Sequence, residues 1–209
     1  MSKKTPLPEK NFFFLNDRYV TMRELMPAFS FPHAELDLGC GKGDFAVALA
    51  QRKPDTAVFA ADVKLGRLRK VVRKSRNDAI EDRVIFLRVE ARHLLTIILP
   101  DEFLDRIHIL CPDPWPKAKH SGNRLLSSDF MMHIARVLKK GGIFHFSTDD
   151  MPYLAAVRKN VRESGLFEEA GADVLADVAD IKTEFETQWL AEGKTVTHLA
   201  WRRKDTLFA

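Results

Sequence analysis

Cysteine is scarce: Cys40 and Cys111 are the only two in 209 residues, and they form no disulfide pattern. That excludes a disulfide-stapled secreted scaffold and points to a reducing, cytoplasmic compartment. No CxxC or HxxH pair occurs at metal-ligand spacing, so no metal site is expected. No run approaches the roughly 18 apolar residues of a membrane span, and the first residues, MSKKTPLPEK, lack the apolar stretch of a secretory leader. A membrane partner is therefore not expected. Internal repeats, low-complexity tracts and linkers are also missing, so nothing splits the chain into two globular parts. Charge of one sign is in small excess, with a net charge of +4 and a pI near 9.1, which permits a polyanionic partner without demanding one. Hydrophobic residues at 45% and charged residues at 30% are ordinary globular values and name no function.

What is present from Ala34 onward is an alternation of short apolar runs with longer amphipathic ones. This is the pattern of an α/β protein with a doubly wound, mostly parallel sheet of Rossmann-like kind. Strands are expected near Glu35–Leu38, Ala57–Ala61, Val84–Val89, Arg106–Leu110 and Ile143–Ser147. Helices are expected near Asp44–Arg52, Leu65–Asn77, Ala91–Leu99, Asp129–Lys139 and Tyr153–Ser164. Thr195–Arg203 alternates like a final strand, with a partner within Phe167–Val174. Residues 1–30 read as an N-terminal arm with a possible helix from Thr21 to Ala28, and its Phe12-Phe13-Phe14 patch suits the cover of a core edge. Residues 31–209 read as one domain.

The first strand runs into Leu36-Asp37-Leu38-Gly39-Cys40-Gly41-Lys42-Gly43-Asp44, a glycine-rich turn that opens a helix. Glycines there let the backbone take positive φ and approach a ligand closely. Asp62 follows at the tip of the second strand, where a carboxylate can accept hydrogen bonds from ribose hydroxyls. Dinucleotide folds favour G-x-G-x-x-G, whereas Gly39, Gly41 and Gly43 form G-x-G-x-G, with Asp37 before them and Asp44 after. Carboxylates there would repel a pyrophosphate but suit a ligand carrying an ammonium and a sulfonium. The pattern resembles the class I methyltransferases, which bind S-adenosylmethionine. Glu90, followed by Ala91 after the third strand, is placed to meet the adenine amino group; it equally suits a helix N-terminus, where an acid is favoured. Cys40 and Lys42 read as spacers, and Cys111 as a buried strand residue rather than a nucleophile.

The fourth strand ends in Arg106–Arg124, RIHILCPDPWPKAKHSGNR. Pro112 has a fixed φ, and Pro114 pushes Asp113 out of the α region, so the backbone around that acid is stiff before any tertiary contact forms. In a sheet of order 3-2-1-4-5 the crevice opens between strands one and four, which sets Asp113 across from the glycine turn. Lys117, Lys119, His120 and Arg124 follow without apolar periodicity. They suit a solvated loop or, given their attachment to this crevice, a phosphate contact surface.

PDPWPKAKH, with Thr148-Asp149, Pro152-Tyr153 and Thr183-Glu184-Phe185-Glu186, resembles the bacterial-type tRNA (guanine-N7)-methyltransferase family over roughly Glu35 to Arg203. The resemblance implies a class I fold, S-adenosylmethionine as donor, and a guanine in the variable loop of tRNA as acceptor. It places the cofactor carboxylates on Asp37, Asp62 and Glu90, the catalytic aspartate on Asp113, and the substrate contacts on Lys117, Asp149, Thr183 and Glu186. It leaves open a monomer or a homodimer. The chain departs from the family at Glu90, where Asp is usual, at Gly122-Asn123-Arg124 in place of a Lys-Arg-Arg run, at Glu184 in place of Lys, and at Gln188 in place of a basic residue. The last three departures remove about five units of positive charge from the presumed RNA face, which should weaken and flatten the salt dependence of RNA binding. Trp115 and Tyr153 are candidates for stacking on a base. Two alternatives stay open: a methyltransferase for another base or a small molecule, and a paralogue that binds RNA without modifying it.

Overall fold

A computed structural model of the chain describes residues 5–15, 31–114 and 125–205. The expected helix at Thr21–Ala28, and Trp115, Lys117 and Arg124, lie outside the described residues. Among the described residues, eight strands form one sheet of order β1-β4-β3-β2-β5-β6-β8-β7: β1 (Phe12–Phe14), β2 (His33–Leu38), β3 (Thr56–Asp62), β4 (Val84–Arg88), β5 (Leu104–Leu110), β6 (Leu138–Thr148), β7 (Phe167–Glu169) and β8 (Thr197–Arg203). The pairs from β1 through β6 are parallel, and β8 and β7 close the far edge antiparallel. Counted from β2, the central order is the expected 3-2-1-4-5. The central strands are apolar because helices cover both faces, and all seven residues of β3 are buried.

Among the described residues, six α-helices accompany the sheet: α1 (Asp44–Arg52), α2 (Leu65–Asn77), α3 (Ala91–His93), α4 (Ser128–Val137), α5 (Met151–Ser164) and α6 (Glu184–Ala191). Strand alternation divides the core. Leu36, Ile107, Phe144 and Trp201 face one side, with Phe130 and Ile134 of α4 and Tyr153 of α5. Val58, Ile143 and Ala200 face the other, beneath Phe45 and Leu49 of α1 and Leu68 and Val71 of α2. None of the helices is long and apolar enough to cross a membrane among the described residues.

Four elements depart from the sequence expectation. Phe12–Phe14 adds an eighth strand beside β4, with the Phe12 ring stacked 6.0 Å from Phe86. Asn11 anchors it by donating from its side-chain amide to the Val84 carbonyl at 2.8 Å. The expected helix at Ala91–Leu99 is a single α turn followed by a π turn over Leu94–Ile98, and Leu94, Leu95, Ile98 and Leu99 are all buried. Helix α4 stops at Val137, because the buried Leu138 already belongs to β6. Gly142 lies inside that strand, where a Cβ would meet the Lys139 carbonyl oxygen at 2.8 Å. Finally, α6, which has weak apolar periodicity, was not expected; β7, three residues long, lies within the Phe167–Val174 segment expected to pair with the last strand.

Candidate active site

The C-terminal ends of β2, β3, β4, β5 and β6 line one edge of the sheet, and the chain reverses its winding between β2 and β5, which makes the crevice there the natural ligand site. Gly39, Gly41 and Gly43 have φ of 84°, 57° and 80°. The turn is pinned to β3 by Gly39 and Cys40 N–H groups, which donate to the Ala61 carbonyl at 2.9 and 3.0 Å. Gly43 caps α1 in the left-handed conformation, and a Cβ there would lie 2.6 Å from a Val71 methyl.

Asp37 is 3% exposed, and its Oδ2 has no hydrogen-bond partner among the described residues. Burial, then repulsion from Asp62, pushes its carboxyl up to about 7, against the Ala46 backbone hydrogen bond. A buried acid with a free acceptor oxygen is what a cationic, hydrogen-bond-donating ligand would satisfy. Asp62 is already well engaged: Lys64 N–H donates to Oδ1 at 2.7 Å, and Gly41 N–H and Arg67 Nη1 approach Oδ2 at 3.2 and 3.3 Å. Its remaining lone pairs are those left for a ribose. Glu90 is exposed and caps α3, accepting from His93 N–H at 2.9 Å. The helix-capping role considered from sequence is thus present, and Ala91 follows as the first helical residue.

Across the switch point, Cys111 extends β5 by donating its N–H to the Ser147 carbonyl at 2.9 Å. It holds a positive φ of 50°, which turns the chain and leaves Asp113, two residues on, exposed at the crevice. Thr183 comes to the same place. Its hydroxyl accepts from Glu186 N–H at 3.1 Å as the cap of α6, and it lies 3.9 Å from Cys111 Sγ. Burial raises the Cys111 thiol, and nearby Glu186 and Asp149 add to the rise while bonds to Ser147 and Thr183 oppose it. Asp113, Asp149, Thr183 and Glu186 therefore gather around the ends of β5 and β6.

Glu186 is 2% exposed. Its Oε1 accepts from His198 Nε2 at 3.1 Å and Lys182 Nζ at 2.9 Å, while Oε2 is buried without a partner among the described residues. Burial opposes ionisation, but His198 and Lys182 together hold its pKa below the ordinary value. Tyr153 is not a stacking platform: it is 1% exposed and packs edge-on to Phe146 in the core.

Two features escaped the sequence reading. Lys42, taken as a spacer, forms an ion pair with Glu184, so the residue that departs from the family's Lys ties the glycine turn to α6. Second, each of β5, β6 and β8 carries one histidine, at His108, His145 and His198. A histidine flanked by Ile107 and Ile109, and another flanked by Phe144 and Phe146, was the available signal.

The fold and the glycine turn, entered from buried Asp37 with its open Oδ2, define a class I, Rossmann-like methyltransferase, the class of S-adenosylmethionine-dependent enzymes. Solved structures agree on the fold: the 16S rRNA methyltransferase KamB superposes with a TM-score of 0.63 at 17% identity over 87% of this chain and 93% of its own. The aminoglycoside resistance methyltransferase NpmB1 does so at 0.60 and 21%, over 88% and 94%. A family profile described as "Putative methyltransferase" matches residues 33–199. The tRNA (guanine-N(7)-)-methyltransferase of Syntrophotalea carbinolica is 31% identical over 80% of this chain and 73% of its own length. That of Corynebacterium diphtheriae is 34% identical over 81% and 66%, and that of Aquifex aeolicus 27% over 88% and 61%. The chain belongs to the tRNA (guanine-N7)-methyltransferase family. It spans about two thirds of the length of these relatives.

Proposed function

We propose that this protein transfers a methyl group from S-adenosylmethionine to N7 of a guanine in tRNA, in the variable loop. The observation that carries the reading is the meeting, across one crevice, of the glycine turn and the preceding Asp37, whose Oδ2 has no partner among the described residues, with Asp113, Thr183 and Glu186, the residues that the family resemblance assigns to catalysis and substrate. The names of the relatives supply the acceptor.

The bound cofactor supplies an electrophilic methyl on a sulfonium. In this reading Asp37 meets its ammonium, Gly39, Gly41 and Gly43 let the backbone approach it, Asp62 accepts from its ribose, and Glu90 with Ala91 flanks its adenine. Guanine N7 presents an in-plane lone pair and loses no proton on methylation, so positioning carries much of the rate: aligned reactants account for about 7–11 kcal/mol of barrier. Asp113 orients the base and stabilises the positive charge that develops on its ring. Glu186 Oε2, without a partner among the described residues, is an ionised acceptor suited to the N1 and N2 hydrogens, with Asp149 nearby. Lys117 and Arg124 contact phosphates. The protein acts in the cytoplasm, through residues 31–209 as the catalytic domain.

The test uses labelled donor with tRNA lacking 7-methylguanosine, followed by nuclease digestion and mass spectrometry. Label in 7-methylguanosine of tRNA is expected, and Asp113→Ala should remove it while donor still binds. Donor binding without any label in tRNA would overturn the reading.

A further inference from the structure

Five buried or half-buried side chains form an unbroken hydrogen-bonded chain across the sheet face beneath α1 and α6. Glu35 Oε2 of β2 lies 2.9 Å from His108 Nε2 of β5, and His108 Nδ1 lies 2.9 Å from His145 Nδ1 of β6. His145 Nε2 lies 2.9 Å from His198 Nδ1 of β8, and His198 Nε2 lies 3.1 Å from Glu186 Oε1. Glu35, His108, His145 and Glu186 are at most 5% exposed, whereas the His198 side chain is 25% exposed. The relay is no metal ligand set: its ring nitrogens are committed to one another and to carboxylates.

Counting protons decides the state of this chain. Both terminal groups are carboxylates. Burial opposes ionisation of Glu35, but the hydrogen bonds from His108 and from Lys53 Nζ at 2.6 Å, with Arg106 nearby, hold it below the ordinary carboxylate range. A carboxylate only accepts, so His108 and His198 must each present Nε2–H outward. If all three rings were neutral, His145 would bring one N–H to two acceptor nitrogens, and one contact would set lone pair against lone pair. Four hydrogen bonds need four protons, and three neutral imidazoles hold three. One further proton closes every contact. Burial disfavours charge on His108 and, more strongly, on His145, which leaves the most exposed ring, His198.

We propose that Glu35, His108, His145 and His198 form a one-proton relay that keeps His198 an imidazolium, and that His198 thereby acts as a positioning residue for Glu186. The consequence for catalysis rests on the function proposed above; the proton count does not. With the proton present, His145 donates from Nδ1 to His108, and His198 donates from Nδ1 to His145 and from Nε2 to Glu186. With it lost, either an interior contact breaks or His198 turns a lone pair toward Glu186, which is then held by Lys182 alone. Charged and titratable groups facing the relay are Arg106 of β5, Lys53 after α1, Lys182 and Asp177 in the segment before α6, Cys111 beside Glu186, and Glu169 of β7. Phe45 of α1 covers His108 at 4.7 Å. A cavity of about 320 Å3 lined by His145, His198, Leu175 and Val178 gives the proton a place to exchange.

The experiment is histidine-selective 15N NMR on the full chain without RNA or donor, scanned over about pH 5 to 8. His108, His145 and His198 together should take up a single proton, with His108 in the Nε2–H form, His145 in the Nδ1–H form and His198 doubly protonated at the acid end. Uptake of two or more protons by these three histidines, or a His198 that stays neutral throughout, would overturn the relay. His198→Gln keeps a donor but no titration. It should raise the KM for tRNA about tenfold, the scale of one charge-assisted hydrogen bond, leave kcat nearly unchanged, and abolish the pH dependence of KM over this range. His145→Phe, which never touches Glu186, should reproduce the effect in weaker form. One-proton uptake with an unchanged KM in His198→Gln would overturn the positioning role. Wild-type protein that labels no tRNA would mark failure of the functional reading, and the NMR count would then decide the relay by itself.

Discussion

Asp37 sets stability against binding at a single residue. Its carboxyl titrates near 7 in the folded chain against about 3.8 when unfolded, so the folded state holds the extra proton between those values. Stability contributed by this group therefore falls as pH rises through that window and stays low above it. Asp37→Asn should stabilise the ligand-free protein by about 1–3 kcal/mol at about pH 8, with the difference vanishing below about pH 4. Urea unfolding across pH measures this. The same variant should lose donor affinity at least tenfold by calorimetry, because the unpartnered Oδ2 and its charge are gone. The wild type should bind donor more tightly as pH rises through about 7. Asp37 was legible as a cofactor acid from its place before Gly39; its free oxygen and raised pKa were not, because both arise from burial beside Asp62.

At the scale of elements, the glycine turn and the α6 cap carry the site. Gly43 combines a left-handed φ with direct contact between strand-to-helix turn and α2. Gly43→Ala should cost about 1–3 kcal/mol in urea unfolding, and Val71→Ala in the same chain should recover only the steric share, since the φ penalty remains. Thr183 caps α6 and places Glu186 through one N–H bond. Thr183→Ala should cost about 1 kcal/mol of stability and raise the KM for tRNA, while Thr183→Ser should retain both. Helix α2, with Leu68, Val71 and Val72 buried along one face, was plain in the sequence. The π turn at Leu94–Ile98 and the early end of α4 at Val137 were not, because core packing of Leu95 and Leu138 overrode the helical pattern there.

For the whole molecule, association with RNA is a matter of summed charge. The chain carries a net +4, and it lacks basic residues at Gly122, Asn123, Glu184 and Gln188 where its family usually has them. Glu184 is moreover neutralised by Lys42, so the glycine turn spends one of its own cations on that pair. RNA binding should have a shallow salt dependence in filter-binding assays against KCl. Adding Gly122→Lys and Asn123→Arg should steepen the slope by about 0.7–0.9 per charge. An unchanged slope would place the phosphate contacts elsewhere.

The sequence by itself determined the alternation of central strands and helices, the glycine turn with Asp37 and Asp62, and the proline-stiffened Asp113, since apolar periodicity and turn chemistry are local properties. Only the tertiary structure decided that Phe12–Phe14 joins the sheet beside Phe86, that Tyr153 is core, that Lys42 meets Glu184, and that three histidines share one line of protons. Partners in that line are 73, 37 and 53 residues apart in sequence. They meet because adjacent strands run about 4.8 Å apart, a neighbourhood that strand order creates and no local pattern encodes.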